Sequence, residues 1–463
     1  RAQALLAWRD AARCWSRGDR DAAAGQALDA AAALARTPRD RLLITMARTA
    51  QQINARELEA SVQSAQRLVD ALGPGGRERD LLDGVELAEA ARFACATVPY
   101  GLPADRALAL YDAVRAPVAA SGARALAELQ VALGGVLHWA GQPLQADEVL
   151  TEAWQSAAVA GDSSRKITIG NRLPGVRHSP RPPAPPPVAT LLLAEQLPAG
   201  VGVIADLMEI LALMQVGRGQ AAAALVRIQR MLQLLADDGA EPSAATCCDL
   251  AIAHLAVGRL SNAEQWLARH AETFGAPGFA LHDLAYLTAR VRLMQARGES
   301  PAAAVARLAA LEQHGLAAGP ALQLRAVLMR WMPPAADEAL ALLAELRARG
   351  MRGLLRCALN GAARAALARG EIRQAAGHAR EALQLATQAD IWCEEPAEVW
   401  WTAFEVLQGC GHAAEARAAL QAGAAWVEAG AAQWTDAVEG DAWRHGNPVH
   451  RALLSAAAQA TSR

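Results

Sequence analysis

A glycine, or a helix-breaking stand-in, recurs about every forty residues along this chain, and five positions later stands a small residue, nearly always alanine. The clearest copy runs Leu133, Gly134, Leu137, Gly141, Ala146, Leu150, Ala153. Further turns are expected at Gly217, Gly258, Gly298, Gly370 and Gly411, with Ala222, Ala263, Ala303, Ala375 and Ala416 in the fifth position after each. Between Gly298 and Gly370 one more turn is expected at Pro333 and Pro334, with Ala339 as its small residue. Towards the N-terminus the series starts at Gly18 with Ala23 and Ala30, and continues through turns near Asn54 and Leu102. A period of this length suits two antiparallel helices joined by a short turn. The glycine takes the left-handed conformation that ends the first helix, and the small residue lets the second approach closely. One such pair cannot cover its own apolar face, so neighbouring pairs must stack into a solenoid. The expected fold is all-α, an α-solenoid of about ten to eleven hairpins.

Composition narrows the class in the same direction. About a quarter of the 463 residues are alanine, and leucine, arginine, glutamate and glutamine are abundant, which are strong helix formers. A formal net charge of −2 offers no basic footprint for nucleic acid, so no direct nucleic-acid binding is expected. The most apolar run, 201–216, contains Asp206 and Glu209 and is too short to span a bilayer, so no membrane partner is expected and the localisation read is cytoplasmic. Seven cysteines without a CxxC indicate scattered buried thiols rather than a disulfide framework or zinc site. The adjacent Cys247 and Cys248 are expected on different sides of one helix.

One gap interrupts the period. The 76 residues from Gly141 to Gly217 should hold a turn near residue 180, but the chain there reads Arg177-His178-Ser179-Pro180-Arg181-Pro182-Pro183-Ala184-Pro185-Pro186-Pro187. Proline at that density forbids helix and favours extended polyproline II. The only lysine, Lys166, lies in the same stretch. It reads either as a linker that could dock an SH3-like partner, or as a damaged repeat. The resulting division is 1–162, an N-terminal solenoid half; 163–200, a proline-rich irregular segment; 201–440, a C-terminal half; and 441–463, a capping helix.

The segment from Val131 to Ala153, with Trp400 eleven residues before Gly411, resembles the tetratricopeptide repeat, although several copies lack its internal glycine and tyrosine and the periods exceed its usual length. The resemblance implies a right-handed superhelix whose first helices line a concave groove. By position relative to the turns, Asn360, Arg364, Trp401 and Glu405 would face that groove and form the candidate binding patch. The late tryptophans, Trp392, Trp400, Trp401, Trp426, Trp434 and Trp443, read mainly as core.

No catalytic signature is found. Gly161-Asp162-Ser163-Ser164-Arg165-Lys166 lacks the glycine a P-loop needs before its lysine, and there is no HExxH or GxSxG. His270 and Glu272 read as surface helix residues, and Glu371, Arg373, Arg380 and Glu381 as solvated ion pairs. The expectation is therefore a non-enzyme, with no catalytic residue, cofactor or metal.

At the C-terminus, Trp443-Arg444-His445-Gly446-Asn447-Pro448-Val449-His450-Arg451-Ala452-Leu453-Leu454 reads as a helix start. Asn447 is the cap, Pro448 the first residue, and Val449, Leu453 and Leu454 an apolar stripe. This segment resembles the closing motif after the repeat region of large bacterial regulators built on a STAND-type or AAA-type ATPase, departing from it at His450. The resemblance implies a sensor arm for signal transduction or transcription regulation, holding a protein partner or a small-molecule inducer in its groove, with an ATPase or output domain before residue 1. Two other readings are a free-standing scaffold for protein-complex assembly and, less favoured for want of clustered carboxylates, an α/α-array enzyme.

Overall fold

The computed structural model describes residues 21–55, 57–162, 201–274, 280–386 and 395–461, with a few of the first eleven. The proline-rich stretch with Lys166 lies outside the described residues, as do Gly18, Trp392 and Cys393. Every regular element among the described residues is helical. The chain divides into two compact units, one holding the described residues up to 162 with Leu316–Gly319, the other holding 201–315 and the residues from Pro320 on.

The first unit contains α1 (Asp21–Leu34), α2 (Pro38–Asn54), α3 (Leu58–Leu72), α4 (Gly84–Cys95), α5 (Ala104–Ala120), α6 (Ala123–Trp139) and α7 (Pro143–Val159). The pairs α2/α3, α4/α5 and α6/α7 pack as neighbours around one apolar core that runs from Leu42 to Ala157. Capping boxes start α2 at Thr37 with Asp40 and α4 at Asp83 with Glu86, each satisfying backbone N–H groups that the first helical turn leaves unpaired.

The second unit contains α8 (Val201–Gly217), α9 (Ala221–Asp237), α10 (Ala244–Ala256), α11 (Leu260–Phe274), α12 (Ala280–Ala296), α13 (Ala302–Ala310), α14 (Ala318–Leu328), α15 (Ala336–Ala348), α16 (Arg352–Ala368), α17 (Ile372–Ala386), α18 (Glu398–Gly409), α19 (Ala413–Ala431), α20 (Ala437–Gly446) and α21 (Pro448–Thr461). Hairpins α8/α9, α10/α11, α16/α17 and α18/α19 are closely packed, and the first helices stack α8 on α10, α10 on α12 and α16 on α18. This is the all-α hairpin array expected from the period.

The turns show why glycine recurs. At Gly141, φ is +69°, the Gln142 N–H donates to Leu137 O at 2.8 Å, and the Gly141 N–H donates to His138 O at 2.9 Å. This Schellman closure satisfies two carbonyls that α6 would otherwise leave open, and the left-handed residue it needs is most cheaply glycine. The same long bond recurs at Gly161, Gly219, Gly239, Gly258, Gly298, Gly350, Gly370 and Gly411. Gly161, Gly239 and Gly350 follow second helices, so the device ends both members of a hairpin. After Gly141, Gly219, Gly258, Gly350, Gly370 and Gly411 the residue five on makes the first α-helical bond of the next helix, as Ala146 N does to Gln142 O at 3.0 Å. Ala146, Ala263, Ala375 and Ala416 are fully buried there.

Two turns are displaced from their expected places. Gly217 is the last residue of α8, and the left-handed glycine is Gly219, which makes Ala224 rather than Ala222 the buried small residue. After Gly298 the buried residue is Ala304, while Ala303 is exposed, because α13 does not begin until Ala302. His270 is also corrected: it is buried, with its ring stacked on Tyr286 at 4.9 Å. Cys247 and Cys248 are both fully buried because α10 is enclosed on nearly all sides, and burial pushes the Cys247 thiol up to about 11. Arg380 and Glu381 each pair between successive second helices rather than along one. Arg347 holds Glu381 by two bonds of 2.7 and 2.6 Å, and Arg380 holds Glu415 by two of 2.7 and 2.9 Å.

The C-terminal helices of the second unit return to its first hairpins. Asn447 Oδ1 accepts the Val449 N–H at 2.8 Å, which is the expected cap, while its Nδ2 donates to Ala256 O at 3.1 Å at the end of α10. Gly258 and Gly446 meet backbone to backbone: a Cβ on Gly446 would lie 2.5 Å from Gly258 O. Arg259 pairs with Glu439, and Trp443, 1% exposed, donates from Nε1 to Val427 O at 2.8 Å. Leu420, Val427, Trp443 and Leu453 thereby share one core with α8, α9 and α10. At His450 the buried ring places Nδ1 2.7 Å from Trp443 O.

Candidate binding site

Along α16 a polar stripe interrupts the apolar face. Arg356, Asn360 and Arg364 are spaced by four residues, so they share one side of the helix. Arg364 donates from Nη1 to Glu398 at 3.0 Å and from Nη2 to Glu405 at 3.1 Å, both on α18. Arg330, just past α14, donates from Nη1 to the other oxygen of Glu398 at 2.6 Å. Arg292 on α12 donates to Glu395 at 2.9 Å, and Asn447 Nδ2 lies 3.2 Å from the same carboxylate. Two glutamates of one corner, Glu395 and Glu398, are thus inserted among three arginines, two from the first helices α12 and α16 and one from the turn after α14.

The electrostatics follow from burial set against pairing. Burial alone raises the Glu398 carboxyl, but Arg330 and Arg364 outweigh it, and the group sits below its ordinary range. For Glu395 burial wins: Arg292 offsets it only in part, Glu398 adds repulsion, and the carboxyl sits above its ordinary range. Arg364 is pulled down by burial but held up overall by Glu398 and Glu405. Arg356, 4% exposed, has no hydrogen-bond partner at Nε or Nη2, a costly state for a buried cation.

Thr288, Arg292, Arg330, Trp331, Asn360, Glu395 and Glu398 border a cavity of about 30 Å³, about the share of one water molecule in the liquid. No peptide fits while the two glutamates are in place. The arrangement is a set of paired charges shared among neighbouring helices. Among the described residues no group of three or more His, Cys, Asp or Glu could hold a metal.

Of the residues singled out from the turn positions, Arg364 and Glu405 meet directly, and Asn360 lines the cavity beside Glu398. Trp401 goes elsewhere, tilted against Phe404 at 5.5 Å and packed on the apolar core. Thr288, Arg292, Arg330, Arg356, Glu395 and Glu398 were not anticipated. A signal for two of them was present. Asn360 and Arg364 stand ten and six residues before Gly370, Trp401 and Glu405 stand ten and six before Gly411, and Thr288 and Arg292 hold the same two places before Gly298. Glu395 and Glu398 lie at the N-terminal edge of α18, where turn counting gives no position.

No helix among the described residues is long and apolar enough to cross a membrane. No family model and no curated protein matches the chain. Among solved structures, the chain is similar to a Rap protein complexed with Competence and Sporulation Factor, at 10% identity over 84% of this chain and 98% of that one, with a TM-score of 0.46. It is also similar to the APC/C hetero-tetramer Cut9-Hcn1, at 14% identity over 97% of this chain and 96% of that one, with a TM-score of 0.31. The fold assignment rests on the hairpins and turns described above.

Proposed function

We propose that the chain is a non-catalytic helical-repeat module that binds a carboxylate-bearing segment of a protein partner on the first-helix face of its second unit. The observation that carries this reading is the corner Glu395–Glu398 seated among Arg292, Arg330 and Arg364: the face is built to hold acidic side chains and already holds two of its own. A partner's carboxylates would take the same guanidinium forks, for which arginine is better suited than lysine. Arg356, on the same helix face, has no acceptor at Nε or Nη2 and would gain one. Displacing the corner would also release the Glu395–Asn447 contact, which connects the site to the C-terminal helices and makes binding a regulatory event.

The setting we infer is the regulatory arm of a bacterial signalling ATPase or transcription regulator, supported by the resemblance of the segment 443–454 to the closing motif of such proteins. An ATPase motif upstream in the same reading frame supports that setting, and a start codon immediately before residue 1 removes it. Binding itself is tested with a fluorescent peptide copying residues 394–402 and a copy with its three glutamates changed to glutamine. Glu398→Gln protein should bind the acidic peptide more tightly than wild type, and Arg330→Gln with Arg364→Gln should abolish the signal. Equal binding of the acidic and neutral peptides would overturn the reading.

A further inference from the structure

A second concavity lies on the opposite side of the hairpins, where second helices meet. Leu225, Ile228, Gln229 and Leu232 lie along α9 at spacings of three and four, and Asn262, Gln265, Trp266 and Arg269 do the same along α11. These stripes form two walls of a 320 Å³ groove, closed at one end by His254 and Arg259. The volume is at the lower end of small-molecule sites. One wall is mainly apolar and the other polar, and Trp266 supplies an aromatic surface with the Arg269 guanidinium 5.4 Å from its ring centre.

Arg259 is taken up by Glu439, but one buried polar atom of the groove is left over. His254 is 6% exposed, and its Nδ1 has no hydrogen-bond partner, although a buried imidazole nitrogen normally finds one. Burial also holds this ring neutral near pH 7, its titration lowered to about 4. Arg269 is held by Glu241, a carboxylate that is largely exposed. An exposed pair of this kind is easily exchanged, and a carboxylate at the groove could take Arg269 in place of Glu241 while its body packs beside Trp266.

We propose that this groove is a binding site for a small organic acid with an apolar or aromatic body, its carboxylate on Arg269 and its body between Trp266 and the Leu225–Ile228–Leu232 wall. The site shares no residue with the arginine–glutamate face and does not depend on what binds there.

The test uses the full chain labelled with 5-fluorotryptophan, the Trp266 resonance being assigned by its loss in Trp266→Phe. Titration with 4-phenylbutyrate should shift that resonance and saturate, and 4-phenylbutanol should bind at least ten-fold more weakly. Arg269→Gln replaces a surface side chain, so the fold should persist, and should weaken the acid ten-fold or more while leaving the alcohol unchanged. No saturable shift, equal affinity for acid and alcohol, or undiminished binding by Arg269→Gln would each overturn the proposal.

Discussion

The two units share one construction and differ in what they bury. Apart from Asp147, the first unit hides neutral polar groups such as Thr49, Gln51, Ser61, Ser64, Thr97 and Gln130. Several of these are satisfied locally: the Thr49 hydroxyl donates to Thr45 O at 2.8 Å and that of Ser61 to Leu58 O at 2.7 Å. The second unit buries Glu209, His254, His270, Arg292, Arg356, His378, Glu398, Asn447 and His450. Two of these have partners far off in sequence, 191 residues away for Asn447 and Ala256, and 103 for Arg292 and Glu395. Buried charge is seldom the cheapest way to stabilise a helical stack, since apolar residues of similar volume often do as well. Its concentration in one unit is what the proposed binding face rests on.

The sharpest way to break this contrast is to remove the anchor of the long-range contacts. Trp443→Ala should cost about 3–5 kcal/mol, because it empties a fully buried site and leaves Val427 O without its donor. Hydrogen exchange should then show lost protection across 201–461 and unchanged protection across 84–159. Leu150→Ala, which removes the side chain packed on Gly134, should show the reverse pattern at about 2–5 kcal/mol. Equal loss in both regions from either substitution would contradict two separately packed units.

A smaller effect separates the units by pH. His254 and His450 are each lowered from 6.5 to about 4, mainly by burial. The unfolded chain therefore takes up two protons below pH 6.5 that the folded chain refuses, and stability falls as pH drops from 6.5 towards 4. Asp249 opposes this: burial raises it from 3.8 to about 6, so between those values the folded state holds a proton that the unfolded state releases. From these three groups the balance is about two protons between pH 6.5 and 6, and about one between 6 and 4, at roughly 1.4 kcal/mol per proton per pH unit. His270 and His378, both lowered by burial, add in the same direction, while Glu395 and Asp283, both raised by burial, oppose it as Asp249 does. The stability of 201–461, read by hydrogen exchange corrected for intrinsic rate, should fall from pH 7 to 5 while that of 84–159 stays nearly constant. His450→Gln should reduce the slope by about one proton, and an unchanged slope would remove His450 from the account.

How much of this was legible in the sequence depends on how far apart the interacting residues lie. Turn glycines act over six residues, so Gly141, Gly258, Gly370 and Gly411 could be read directly, with the small residue after each. Gly217 was misassigned because Gly219 stands two residues on and either could end α8; only the backbone distinguishes them. The pairing of Arg364 with Glu405 was legible as a face, since both occupy one position relative to successive turns. The corner Glu395–Glu398 was not, because it lies at the very start of α18 and just before it, where turn counting gives no position. The return of α20 and α21 to α10 left only a local trace. Asn447 could be read as a cap from Pro448 beside it, but its second role depends on a carbonyl brought near by folding, and nothing around Ala256 announces that.

The smallest expected effect isolates that return. Gly161 in the first unit and Gly258 in the second both end helices in the left-handed conformation, at φ +63° and +80°, and both support the same long bond across the turn. An alanine at either should cost about 1–2 kcal/mol from backbone conformation alone. Around Gly161 there is nothing for a Cβ to meet, so Gly161→Ala should cost no more than that. At Gly258 the added carbon would lie 2.6 Å from Ala442 O and 2.7 Å from Asn447 N, both backbone atoms that cannot swing aside. Gly258→Ala should therefore exceed Gly161→Ala in denaturant titration, and the excess should appear as faster exchange at Asn447, Val449 and His450. Equal costs would mean that the C-terminal helices yield freely at this contact, and the closing of the second unit would then rest on Trp443 and its apolar neighbours rather than on the backbone meeting of Gly258 and Gly446.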